Sequence, residues 1–196
     1  MHINSHFAVG IIIASILNYY LKFNLYEFLL IVFFSFICDF DVLLVKFAKD
    51  KNHRMLITHS IIPGIVIIVL GFILNWVALI ISGISYSIHI IIDTFDWGTN
   101  FFYFTKKQVG FKLLISEEEF NNISQYLAKY KNPQTFFDKK YYGNLICLLM
   151  EVLIFTGMIF FIIIFALNYF TVIIFYPFFL TFHLVRHFNL KKNESN

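Results

Sequence analysis

The sequence predicts an all-α fold, a polytopic membrane helix bundle of about six transmembrane helices with a polar loop between helices four and five. Charged residues make up only 14% of the 196 positions and hydrophobic ones 59%, against about 25% and about 45–50% in soluble domains. Six stretches approach the about 20 apolar residues that a helix needs to cross a hydrocarbon core. The polar residues that remain gather largely in one segment, 99–143, between the fourth and fifth stretches. Mean hydropathy is accordingly high, at +0.75. Two cysteines, Cys38 and Cys147, exclude a disulfide-stapled secreted domain and a four-cysteine zinc finger. A net charge of +3 with no basic stripe argues against nucleic acid as a partner.

The first stretch, 3–21, opens on Asn4, Ser5 and His6 before its apolar run. No basic leader or small-residue cleavage site accompanies it, so this helix is expected to stay in the mature chain. The second, 25–45, carries Asp39 and Asp41 in its last third. Two residues apart, these side chains diverge by roughly 200° on a regular helix, so a shared task for both requires the helix to end or distort there. The third, 57–74, is preceded by His53 and Arg54 and begins with Thr58, His59 and Ser60; the fourth, 76–95, follows after Asn75 alone, which predicts a tight hairpin. His89 and Asp93 lie four apart near its end and so share a helical face. Within the polar segment, 117–130 reads as one amphipathic helix with Phe120, Ile123, Tyr126, Leu127 and Tyr130 on one side, suited to a membrane surface. Stretches 145–166 and 170–188 complete the bundle, and a short polar tail follows. The whole reads as a single membrane domain over 1–196: a metal-site half (1–98), a cytoplasmic loop (99–143) and a C-terminal helix pair (144–190).

Orientation follows from the basic residues. With both termini cytoplasmic, 14 of the 15 Lys and Arg residues fall on the inner side, leaving Lys22 outside. The expected location is the cell (cytoplasmic) membrane.

Ionisable groups inside a span cost at least about 2.5–3.5 kcal/mol each and point to function. In an up-and-down bundle, the starts of odd helices and the ends of even ones share a membrane side. His6, Asp39, Asp41, His53, Arg54, His59, His89 and Asp93 therefore converge at one level. Imidazole and carboxylate ligands suit zinc best, with manganese or iron as alternatives, and no thiolate is placed to compete. The metal ligands read from this pattern are His6, Asp39, Asp41, His59, His89 and Asp93, holding one or two ions. His53 is a further ligand or a proton donor to a leaving group, and Arg54 a clamp for a phosphate oxygen. Each residue has a plainer reading. His6 suits an interhelical hydrogen bond, Asp39 and Asp41 suit pairing with Lys46 or Lys49, His53 suits a solvated loop position, His59 suits a helix cap, and His89 and Asp93 suit each other. Their joint convergence favours the metal. His183 and His187 suit the headgroup level, Asp96 suits a turn, and Glu151 stands inside a span without an evident partner.

These motifs resemble those of the YdjM-like membrane-bound metal-dependent hydrolases. The matching pieces run in order through the first half of the chain: Ser5-His6 with Gly10, Asp39-Phe40-Asp41, His53-Arg54 with Thr58-His59-Ser60, and His89-Ile90-Ile91-Ile92-Asp93 with Asp96-Trp97-Gly98. The chain departs from the pattern at Cys38, where the family carries Pro, and at Met55, where it carries Gly. A six-residue step from His53 to His59 replaces a step of five. The resemblance implies a membrane-embedded hydrolase of phosphoesters at a metal site. The lysines around that level, Lys46, Lys49, Lys51 and Lys106, suit an anionic membrane lipid or lipid-linked substrate. The alternatives are a non-enzymatic metal-binding membrane protein and a structural membrane subunit. The nearly apolar far halves of the helices argue against a metal carrier.

Overall fold

The computed structural model describes residues 2–48, 52–105 and 107–195, which leaves Lys49, Lys51 and Lys106 of the expected basic ring outside the described residues. Regular structure among the described residues is helical, with a lone antiparallel bridge between Thr99 and Val109. Helix α1 spans Ile3–Leu21 and α2 Leu25–Phe34. A 3-10 segment, Ile37–Phe47, and two 3-10 turns, His53–Met55 and Ile57–His59, lead to α3, Ile61–Ile73, and α4, Val77–Asp96. Short helices α5 (Glu117–Asn121), α6 (Ile123–Leu127) and α7 (Gln134–Tyr142) precede α8, Leu145–Phe165. A 3-10 stretch, Leu167–Ile174, then runs into α9, Phe175–Ser195.

Four of these elements are long and apolar enough to cross a membrane: α1, α4, α8 and the run Leu167–Ser195. The pair α2 and Ile37–Phe47, bent by 42°, makes a fifth if taken as one span. Six were expected. The missing one is α3, whose 13 residues rise only about 20 Å against a core of about 30 Å. Its shortness is set at both ends. Thr58 and His59 go into a 3-10 turn, Ser60 caps the helix by accepting the Ile62 N–H, and at the far end Asn75 turns the chain with φ 52°. Asn tolerates that left-handed backbone better than most residues, and the tight hairpin expected there is present.

The expected distortion at the Asp pair also exists, a little earlier than the acids. Helix α2 starts with a reciprocal cap, Asn24 accepting from the Glu27 N–H and Glu27 from the Asn24 N–H, and stops at Phe34. Ser35 turns its hydroxyl onto the Val32 carbonyl at 2.6 Å, a local bond that competes with continuation of the helix. The amphipathic helix expected over 117–130 is divided at Asn122, whose side-chain amide donates to the Glu118 carbonyl while its backbone leaves the helical region.

Side chains are distributed as lipid demands. Phe72, Leu153 and Phe178 are 65%, 64% and 68% exposed, whereas His6, His59, His89 and Asp93 are at most 1% exposed. Apolar residues outside and polar ones inside suit a protein whose solvent is hydrocarbon. Helix α1 packs on α2 and α8, and α4 packs on α2 and α3. The crossings are close because small residues sit at them. A Cβ on Gly10 would run into Ser35 Oγ, and one on Gly83 would meet the Gly64 carbonyl at 2.7 Å. Phe7, Ile11, Phe28, Ile31, Met158 and Ile162 fill the apolar core beside this framework. The start of α1, the break after α2, the turns before α3 and the end of α4 are thereby brought to one place.

Candidate metal centre

Asp93 lies at the middle of that place. Its Oδ1 is 3.1 Å from His6 Nε2, and its Oδ2 is 2.8 Å from His59 Nε2 and 3.1 Å from an Arg54 terminal nitrogen. His59 reaches the other way to Asp41, Nδ1 to Oδ2 at 3.0 Å, and His53 Nδ1 lies 2.8 Å from Asp41 Oδ1. Thr58 donates its hydroxyl to Asp41 at 2.7 Å. Both nitrogens of His59 thus face carboxylates, which only accept, so without metal this ring is a charged bridge. Residues 52–60 lie outside the candidate spans. There burial opposes the charge on His59, but the bonds to Asp41 and Asp93 outweigh it and push its pKa up to about 9. Burial moves His53 the other way, below the ordinary imidazole value, against the pull of Asp41.

His89 is oriented by the break in the second helix. The Ser35 carbonyl, left outside α2, accepts from His89 Nδ1 at 2.7 Å. Its Nε2 is then left facing Asp39 Oδ1 and Asp93 Oδ2, each at 3.6 Å, too far for a hydrogen bond. The His6 and His89 rings stack at 3.6 Å between centroids. Three buried atoms in this group have no hydrogen-bond partner among the described residues: His6 Nδ1, His89 Nε2 and Asp39 Oδ2. Buried polar atoms are nearly always paired; others without a partner lie elsewhere among the described residues, and these three belong to residues that could share a cation. Ligand atoms of His6, Asp39, His89 and Asp93 lie within 4.8 Å of one another, and so do those of Asp41, His53 and His59. The expected ligand residues are therefore gathered as two adjoining groups. Their nitrogen and oxygen donors suit zinc, manganese or iron.

Several placements differ from the sequence reading. Arg54, expected to meet a phosphate oxygen, is buried with both terminal nitrogens committed. One donates to Asp96 Oδ1 at 2.7 Å, the Asp93 carbonyl at 3.0 Å and the Gly98 carbonyl at 3.3 Å, and the other to Asp96 Oδ2 at 3.2 Å. Burial works against its charge, but Asp93 and Asp96 raise its pKa further. Asp96 does close a turn, accepting from the Trp97 N–H, and it also holds this guanidinium. Cys38, set aside as a ligand, has its sulfur within 4.8 Å of ligand atoms of His59 and His89. Glu151 has partners after all, Ser5 Oγ at 3.1 Å and the Tyr141 hydroxyl at 2.6 Å. His187 pairs with Asp138 at 2.6 Å and His183 stacks on His2. For Cys38 and Glu151 no local signal existed, since both sit in apolar runs whose neighbours come from elsewhere in the chain.

The charged bridge has a pH signature. His59 has a folded-state pKa above its ordinary 6.5, so its contribution to stability is complete below about 6.5 and is lost as pH rises through about 9. Thermal unfolding of chelator-treated protein in detergent is expected to show the melting temperature falling over that window. Saturation with zinc removes the decline, because a metal takes the place of the proton. A metal-free melting temperature that is flat across the window would show that His59 is not the bridge.

Comparison of the chain with family models, with curated proteins and with solved structures returned no match.

Proposed function

We propose that the protein is a membrane-embedded metal-dependent hydrolase of the YdjM-like kind, acting on a phosphoester of a lipid or lipid-linked substrate at the cytoplasmic face. The observation that carries this reading is the orphaned trio His6 Nδ1, His89 Nε2 and Asp39 Oδ2, buried beside Asp93. The residues that carry these three atoms stand, with Asp93, in a group whose ligand atoms lie within 4.8 Å of one another, a donor set that a divalent cation would satisfy. The ordered motifs from Ser5-His6 to Asp96-Trp97-Gly98 add the family resemblance.

In this reading His6, Asp39, His89 and Asp93 hold one divalent ion, zinc by preference, and Asp41 and His59 belong to a second position. A bound ion of this type lowers the pKa of its water toward neutrality and polarises a phosphoryl oxygen. The protein's residues do the rest. The Ser35 carbonyl fixes the His89 tautomer, and Arg54 and Asp96 hold Asp93 in place. His53 carries the proton to or from the reacting oxygens: its side chain is 27% exposed while those of His6, His59 and His89 are at most 1% exposed. It is the imidazole of the group that a substrate reaches without displacing a helix, and Asp41 on its Nδ1 orients it. The inner placement of the site rests on the distribution of Lys and Arg, with six crossings if α3 and the bent pair both traverse.

The test is metal analysis of purified protein together with hydrolysis of phosphomonoester and phosphodiester lipids. Wild type is expected to hold one or two ions per chain and to hydrolyse a member of one class, and Asp39→Ala and His89→Ala to lose both properties. Variants as active as wild type would remove these residues from the site. Metal retained with no hydrolysis of either class favours the non-enzymatic metal-binding reading.

A further inference from the structure

We propose that the cleft between the 3-10 segment Ile37–Phe47 and α4 seats one hydrocarbon chain of an amphiphilic phosphoester whose head group lies at Asp41. The inference rests on the hydrolase reading and specifies how its substrate is held. The cleft is open to the surface, has a volume of about 300 Å³, and is lined by the apolar Ile37, Phe40 and Leu44, by Tyr86 and Cys38, and by the polar Asp41 and Thr58. Asp41 is the charged residue of this lining, and it is also the residue that holds His53 and His59. The cleft and the candidate centre are therefore continuous through one carboxylate.

The walls exclude a polar occupant. Ile37 and Phe40 lie one turn apart on the 3-10 segment, Leu44 lines the cleft further along it, and all three are apolar. Tyr86 turns its hydroxyl onto the Thr58 carbonyl, which leaves its ring as the wall. Thr58 spends its own hydroxyl on Asp41 at 2.7 Å. A sugar phosphate or nucleotide in this space would bury hydroxyls and ring nitrogens against carbon, at a cost no partner offsets. The outer lip is formed by Phe40 and Leu44, 43% and 46% exposed, beside Leu43 and Phe47 at 75% and 71%. In a chain of this type such residues meet hydrocarbon, so the cleft leads from a carboxylate and two histidines outward to lipid. Its size lies at the lower end of ligand pockets, about 300–1,000 Å³, which suits one chain rather than a whole two-chain lipid. The ligand that matches is polar at one end and hydrocarbon along its length.

Photolabelling tests this directly. The full chain is reconstituted with zinc in phosphatidylcholine nanodiscs containing a trace of phosphatidic acid that carries a diazirine on one acyl chain. Cross-links are expected within residues 37–44 and around Tyr86. Unlabelled phosphatidic acid should compete and glycerol phosphate should not. Leu44→Trp, which fills the cleft at an already half-exposed position, should cut the labelling about tenfold, while Val42→Trp, 51% exposed and not part of the lining, should leave it unchanged. Labels spread evenly over α8 and α9, competition by glycerol phosphate alone, or equal loss in both variants would overturn the chain seat. Zinc measured on the same samples separates the two readings. Zinc retained without cleft labelling ends the seat and leaves the hydrolase standing, whereas cleft labelling in protein that binds no zinc upholds the seat and ends the hydrolase.

Discussion

With the proposed metal centre, an Asp93→Asn protein is expected to bind no metal and to lose about 3–5 kcal/mol of stability, the range for removing one charge from a buried paired set. The substitution preserves size and deletes only the charge that His6, His59 and Arg54 converge on from 3.1, 2.8 and 3.1 Å. An amide oxygen is a poor ligand for zinc beside imidazoles, and an amide nitrogen turned toward His59 or Arg54 sets donor against donor. Zinc content by mass spectrometry and melting temperature in detergent, each with and without chelator, are the measurements. Chelator should destabilise wild type and have no effect on the variant, since metal bound to the folded state alone adds stability by mass action. His6→Gln, which leaves the Asp93 contacts to His59 and Arg54 intact, should lose zinc with a smaller drop in metal-free stability. Wild-type zinc content in Asp93→Asn would mean that this carboxylate does not ligate.

That these His and Asp residues lie near one another was legible in the sequence from the order of the helix ends. Helices that reverse direction in turn put His6, the Asp pair, the block around His59 and the His89/Asp93 turn toward one side, and the packing of α1, α2 and α4 then brings them together. The step of four between His89 and Asp93 needed only helical periodicity. What the sequence could not show depends on partners far along the chain. The Ser35 carbonyl becomes a bond to His89 only because α2 stops at Phe34. Glu151 meets Ser5 and Tyr141 only because α8 packs on α1. The difference between six expected spans and the four to five that are long and apolar enough has a related reason. Counting apolar residues from 57 to 74 ignores where backbone turns and caps fall, and Thr58, His59 and Ser60 belong to the turn that carries the site rather than to α3.

The contacts of Arg54 suggest a task other than the phosphate clamp that its residue type suggested. A guanidinium in a predicted phosphoester site suggests a phosphate clamp, but here its fork closes on Asp96, and Asp93 takes the second terminal nitrogen. As a positioning residue, Arg54 should matter to stability and to metal affinity before it matters to substrate. Arg54→Met is expected to cost about 3–5 kcal/mol, because the buried Asp96 and Asp93 both lose the guanidinium that holds them. It should also weaken zinc binding about 10–100-fold, the usual effect of removing a group that orients a ligand. Adding Asp96→Asn should recover much of the stability, since replacing both members of a buried ion pair is far less damaging than removing one. It should not recover zinc affinity, because Asp93 still lacks the Arg54 guanidinium on its Oδ2. Lys at this position is expected to fail as well, because a point charge cannot span the two oxygens of Asp96 and also reach Asp93. A clamp would give the opposite pattern: Arg54→Met with wild-type zinc and melting temperature, and a raised KM for the phosphoester alone. Zinc titration and thermal unfolding of the single and double variants, followed by kinetics on any that keep metal, decide between the two tasks.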